Sequence, residues 1–135
     1  MNHNLYIVWD DSKNFGIPII DEQHRGLITT INSLYYCIKE GQGNDIIKSI
    51  LIMLGQYAKI HFKTEESLME EAGYPEIKEH LIFHETFIKK SKSLYSNVDN
   101  DSVTDEVLQF LRMWWLNHIN KEDIKYIKSV KKLLD

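Results

Sequence analysis

Two pairs of residues with metal-ligand side chains flank one break in this chain. His61 and Glu65 precede Gly73-Tyr74-Pro75, and His80 and His84 follow it. A helix turns by about 100° per residue, so a spacing of four returns to the same face one turn along. Glycine suits the left-handed closing residue of one helix, and proline suits the first position of the next. The break therefore predicts two helices that run antiparallel, with a third helix starting near Pro75. Four cation-binding side chains then face one seam. A buried histidine is commonly only a packed core residue. Three imidazoles and a carboxylate buried together without partners would cost several kcal/mol, and a metal ion removes that cost.

The elements that must carry these residues are all helical. Residues 1–20 read as an arm, because Asp10-Asp11-Ser12-Lys13-Asn14 and Gly16-Ile17-Pro18 are turn formers. Trp9, Phe15, Ile17 and Ile20 are expected to pin it, and His3 is expected to be exposed and without a role. A first helix should begin near Asp21 or Glu22 and present His24, Leu27, Ile28, Ile31, Leu34, Tyr35 and Ile38 inward. Gly41-Gln42-Gly43 should end it. A second helix should run from Asn44 or Asp45 to Ala72, with His61 and Glu65 continuing its apolar stripe. The third should end at Ser96. A fourth should start near Val103, capped by Ser102 or Thr104, with Val107, Leu111, Trp114, Trp115, His118 and Ile119 inward. Ile124, Ile127, Val130, Leu133 and Leu134 then mark a short amphipathic tail over 121–135, either a continuation or a separate helix. No stretch carries a strong strand signal. The expected fold is all-α: one domain over 1–135, an up-down-up-down four-helix bundle spanning 21–120 with an N-terminal arm and a short C-terminal helix.

Composition excludes several other classes. The net charge of −4 implies no basic face for nucleic acid. No apolar run reaches the length of a membrane span, and Leu5-Tyr6-Ile7-Val8-Trp9 is too short for a secretion signal. A cytoplasmic location is expected, without a nucleic-acid or membrane partner. Cys37 is the sole cysteine, so no internal disulfide and no thiolate metal site can form.

Every predicted bundle helix carries an inward histidine: His24, His61, His80 with His84, and His118. Glu65 and Asp123 are the acidic residues best placed to join them. Five imidazoles and two carboxylates exceed the need of one tetrahedral ion, and mixed imidazole and carboxylate ligation suits iron. The Glu-x-x-His pattern of carboxylate-rich di-iron oxidases is absent before all five. The spacing of five from His118 to Asp123 separates them by about 140° on an ideal helix, so a local π-turn is expected there.

These residues resemble the bacterial hemerythrins over essentially the whole chain. The resemblance rests on Trp9, Ile20-Asp21-Glu22-Gln23-His24, His61-Phe62-Lys63-Thr64-Glu65-Glu66, Met69, Tyr74-Pro75, His80 with His84, and His118-Ile119 with Asp123. Myohemerythrin is itself a standard example of the up-down-up-down bundle. The resemblance implies two non-haem iron ions joined by an oxo or hydroxo bridge. It implies that His80, His84 and His118 hold one ion, that His24 and His61 hold the other, and that Glu65 and Asp123 bridge them. One coordination position is then left open, on the ion of His24 and His61. The implied function is non-enzymatic, reversible dioxygen binding for storage, delivery, scavenging or sensing, with azide or other small anions as analogues and a reductase of unknown identity. The competing expectation is a di-iron enzyme that consumes dioxygen, peroxide or nitric oxide. A monomer is expected. Leu27, Phe62, Trp114 and Trp115 should wall the ligand pocket. The family often has leucine where this chain has Trp115, three residues before His118, and that indole is expected to gate the open position.

Overall fold

The structure is a computed structural model that describes residues 4–99, 103–118 and 124–134. His3, the candidate cap Ser102, Ile119 and Asp123 lie outside the described residues. Among the described residues a short 3-10 turn (Asp11–Lys13) precedes five α-helices: α1 (Pro18–Lys39), α2 (Asn44–Ala72), α3 (Ile77–Ser96), α4 (Val103–Trp114) and α5 (Ile124–Leu134). Among the described residues there is no strand. Helix α1 neighbours α2 and α4, and α3 also neighbours α2 and α4, which closes a four-membered ring. The start of α2 meets the end of α3 through Lys48 and Asp99, 3.0 Å apart, as an antiparallel pair requires. Helix α5 packs on α2.

The predicted α2 matches residue for residue, and its ending follows from Gly73. That glycine takes φ 67°, its N–H bonds Glu70 O, and Tyr74 N–H bonds Met69 O, so the last carbonyls are satisfied. This closure uses Tyr74 as well as Gly73. A turn follows, and α3 begins at Ile77 rather than at Pro75. Helix α1 begins earlier than expected, at Pro18 rather than Asp21. Proline at the first position lacks only an N–H that the helix would not have used. Asp21, inside the first turn, reaches back and accepts from Phe15 N at 2.6 Å and Gly16 N at 3.1 Å. The acidic residue that resembled a helix start in fact ties the arm to the helix.

The arm is pinned along α1, with Ile7, Phe15 and Ile17 buried. Asn32 acts as a clip: its Oδ1 accepts from Tyr6 N and Ile7 N at 3.0 and 2.9 Å, and its Nδ2 donates to Ile7 O at 2.8 Å. The Tyr6 ring stacks on Tyr35 at 4.7 Å. Between α1 and α2 the Tyr57 side chain lies directly against Gly26. A Cβ there would collide with the Tyr57 ring and hydroxyl, so a larger residue would have to displace that side chain. This contact lies two residues beyond His24 on α1 and four before His61 on α2. No helix among the described residues is long and apolar enough to cross a membrane.

Candidate metal centre

The helical stripes bring five histidines and one glutamate together in the middle of the bundle. His24, His61, His80, His84 and His118 are all buried, and Glu65 is fully buried. Two overlapping groups are close enough to hold an ion. Glu65, His80, His84 and His118 form one, and His24, His61 and Glu65 form the other, with candidate ligand atoms within 4.8 Å of one another in each. Glu65 belongs to both. Its Oε1 lies 2.9 Å from His61 Nε2, 3.4 Å from His84 Nε2 and 3.8 Å from His118 Nε2, and its Oε2 lies 3.9 Å from His80 Nε2. Burial alone would push this carboxyl up. The His61 charge, and then the ring nitrogens of His118, His61 and His84, outweigh burial and hold it well below the usual carboxylate range.

The donor set fits a metal. Glu65 Oε1, His61 Nε2 and His84 Nε2 are buried without a hydrogen-bond partner despite their proximity. Such atoms cost free energy unless something between them accepts their lone pairs. A cation does so for all three. Asp123, the second expected carboxylate, lies outside the described residues.

The outward nitrogens of two histidines are held in place. His84 Nδ1 lies 2.9 Å from Glu66 Oε2, and His61 Nδ1 lies 2.9 Å from Gln23 Oε1. Each contact turns the opposite nitrogen, Nε2, toward Glu65. On the far side, the Tyr126 hydroxyl of α5 donates to Glu65 Oε2 at 2.6 Å, and Tyr126 is fully buried. Sequence reasoning assigned no role to Gln23, Glu66 or Tyr126. Gln23 and Glu66 each adjoin a predicted ligand in sequence, which was the available signal. Tyr126 and Val130, both fully buried and four residues apart, form the inward stripe of α5. The apolar pattern named Val130 without its tyrosine partner.

Of the four residues expected to wall the pocket, the three aromatic ones stand against histidines. Trp115 is 2% exposed and stands edge-on to His24 at 5.6 Å, with Trp9 beyond it at 6.3 Å. Trp114 instead stacks on His118 at 5.2 Å and packs on Phe87 at 4.3 Å. Phe62 stacks on His84 at 3.9 Å, and Leu27 is fully buried in the core. A π-helical turn covers residues 115–118 and delivers both Trp115 and His118 to the interior. Residues 119–123, where a π-turn was expected, lie outside the described residues. A surface groove of about 390 Å³ between α2 and α3 reaches Phe62, Glu66 and His84 from outside.

A four-helix bundle with a buried histidine and carboxylate cluster defines a class of metal-binding bundle proteins. Comparison narrows the class. Residues 16–129 match the hemerythrin HHE cation binding domain. The bacteriohemerythrin of Pseudomonas aeruginosa is 34% identical over 127 residues, covering 93% of this chain and 82% of that protein. The bacteriohemerythrin of Clostridium acetobutylicum is 34% identical, covering 89% and 98%. A solved hemerythrin, a variant with one leucine replaced by alanine, superposes with a TM-score of 0.85 at 25% identity, covering 94% of this chain and 98% of its own. The chain belongs to the hemerythrin family.

Proposed function

We propose that this protein binds dioxygen reversibly at a non-haem di-iron centre and is not an enzyme. The observation that carries the reading is Glu65: one buried carboxylate shared by a three-histidine group and a two-histidine group. Membership of the hemerythrin family supports the same conclusion. His80, His84 and His118 would hold one ion and His24 and His61 the other, with Glu65 common to both groups. By resemblance to the family, Asp123 would be a further carboxylate ligand. Two iron ions held there would supply reversible redox chemistry toward dioxygen.

The remaining work belongs to the protein. Gln23 and Glu66 orient His61 and His84. The Tyr126 hydroxyl is committed to Glu65, so its proton is engaged at that carboxylate. Trp115, beside His24, keeps bulk water from the two-histidine side. A dry site with its protons engaged favours release of the ligand over its reduction. We further place the protein in the cytoplasm as a monomer served by a separate reductase. Iron analysis should give about two ions per chain. The absorption that appears with air should vanish under inert gas over repeated cycles. About one iron per chain would sink the di-iron reading, and steady turnover to water or released peroxide would favour an enzyme that consumes oxygen.

A further inference from the structure

The hydrogen bonds behind His61 and His84 differ in kind. Behind His84 stands a carboxylate, Glu66, whose other oxygen is 3.8 Å from Lys63 Nζ. Behind His61 stands a neutral amide, Gln23. The amide's orientation is set by a relay. Thr64 Oγ1 donates to Ile60 O at 3.0 Å, so its hydrogen is used and it can only accept from Gln23. Gln23 Nε2 donates to it at 3.0 Å, which turns Gln23 Oε1 toward His61. His61 Nδ1 must therefore be the donor, and the lone pair is left on Nε2, facing Glu65.

An anionic acceptor raises the basicity of a ligand imidazole more than a neutral one. We propose that Glu66 and the Thr64–Gln23 relay make the two halves of the centre unequal. The subsite of His80, His84 and His118 becomes the stronger electron donor and binds its cation first and more tightly. The subsite of His24 and His61 is completed second and holds its cation more loosely. Glu66 and Gln23 are positioning residues: they act through histidines and need not touch an ion. The inference rests on the two-ion reading above.

The test is equilibrium titration of the metal-free full chain with cobalt(II) against a competing chelator. Wild type should take two equivalents with unequal constants. Glu66→Gln keeps an acceptor for His84 but removes the charge, and should weaken the tighter constant about tenfold, the low end for such outer partners. Gln23→Glu should strengthen the looser constant by a similar factor. Thr64→Val should weaken the looser constant alone, because the amide is no longer held, and Thr64→Ser should restore it. Thermal unfolding of each metal-free variant separates loss of fold from loss of tuning. Two unequal equivalents in wild type that respond in neither Glu66→Gln nor Gln23→Glu would overturn the inference, as would equal weakening of both constants. A single equivalent in wild type overturns the two-ion reading itself.

Discussion

Trp115→Leu should open the two-histidine side of the centre. The indole is 2% exposed, edge-on to His24 at 5.6 Å and backed by Trp9. Leucine is smaller by about 60 Å³, and at ~24 cal/mol per Å³ of residual cavity the loss is about 1.5 kcal/mol. That space exceeds the ~30 Å³ that one liquid water occupies. Water or a small anion could then stand where the indole did. If a similar ~1.5 kcal/mol is removed from the barrier to entry, the rate rises about tenfold. The assay is stopped-flow azide binding to the oxidised protein, with autoxidation of the oxygenated protein followed in parallel. Both should speed up while iron content stays unchanged. Trp114→Leu is the control, because Trp114 stacks on His118 and Phe87 instead. It should lower thermal stability by a comparable amount and leave the azide rate alone. Equal azide rates in wild type and Trp115→Leu, with iron intact, would refute the gate, and so would equal acceleration by Trp114→Leu.

Four further outcomes are expected. Glu65→Ala should lose both ions rather than one, since Glu65 belongs to both ligand groups; metal analysis that finds one ion retained at full occupancy would contradict this. Tyr126→Phe removes a 2.6 Å hydrogen bond to a buried carboxylate and should destabilise the metal-free protein by about 1.5–3 kcal/mol, with faster hydrogen exchange in α5. Gly26→Ala forces its methyl group onto Tyr57 and should cost about 1–3 kcal/mol, partly recovered by Tyr57→Leu in the same denaturant titration. Glu65 is held well below its ordinary value in the folded chain, so its stabilising contribution to the metal-free protein is complete above the unfolded value of about 4.3 and is lost as pH falls toward the folded value. Urea midpoints measured from neutral to acid pH should show that loss in wild type, and a smaller one in Glu65→Gln.

Much of the centre was legible because ligand spacing and core spacing share one period. His61 and Glu65 lie four apart on the stripe that also carries Leu54, Ala58 and Met69, so burial of the stripe delivers the ligands. The same reasoning put His24, His80, His84 and His118 inside, and Gly73 marked where α2 must stop. What periodicity does not carry is the identity of a partner on another helix. Tyr126 reaches Glu65 across 61 residues only because α5 packs on α2. Gln23 backs His61 across 38 residues only because α1 packs on α2. Between the adjacent tryptophans, an ideal helix offers both to the seam. The π-helical turn at 115–118 and the packing around it assign Trp115 to His24 and Trp114 to His118. The chain's local periods determined which residues go inside. Close packing of whole helices, where one side chain excludes another, decided which of them meet.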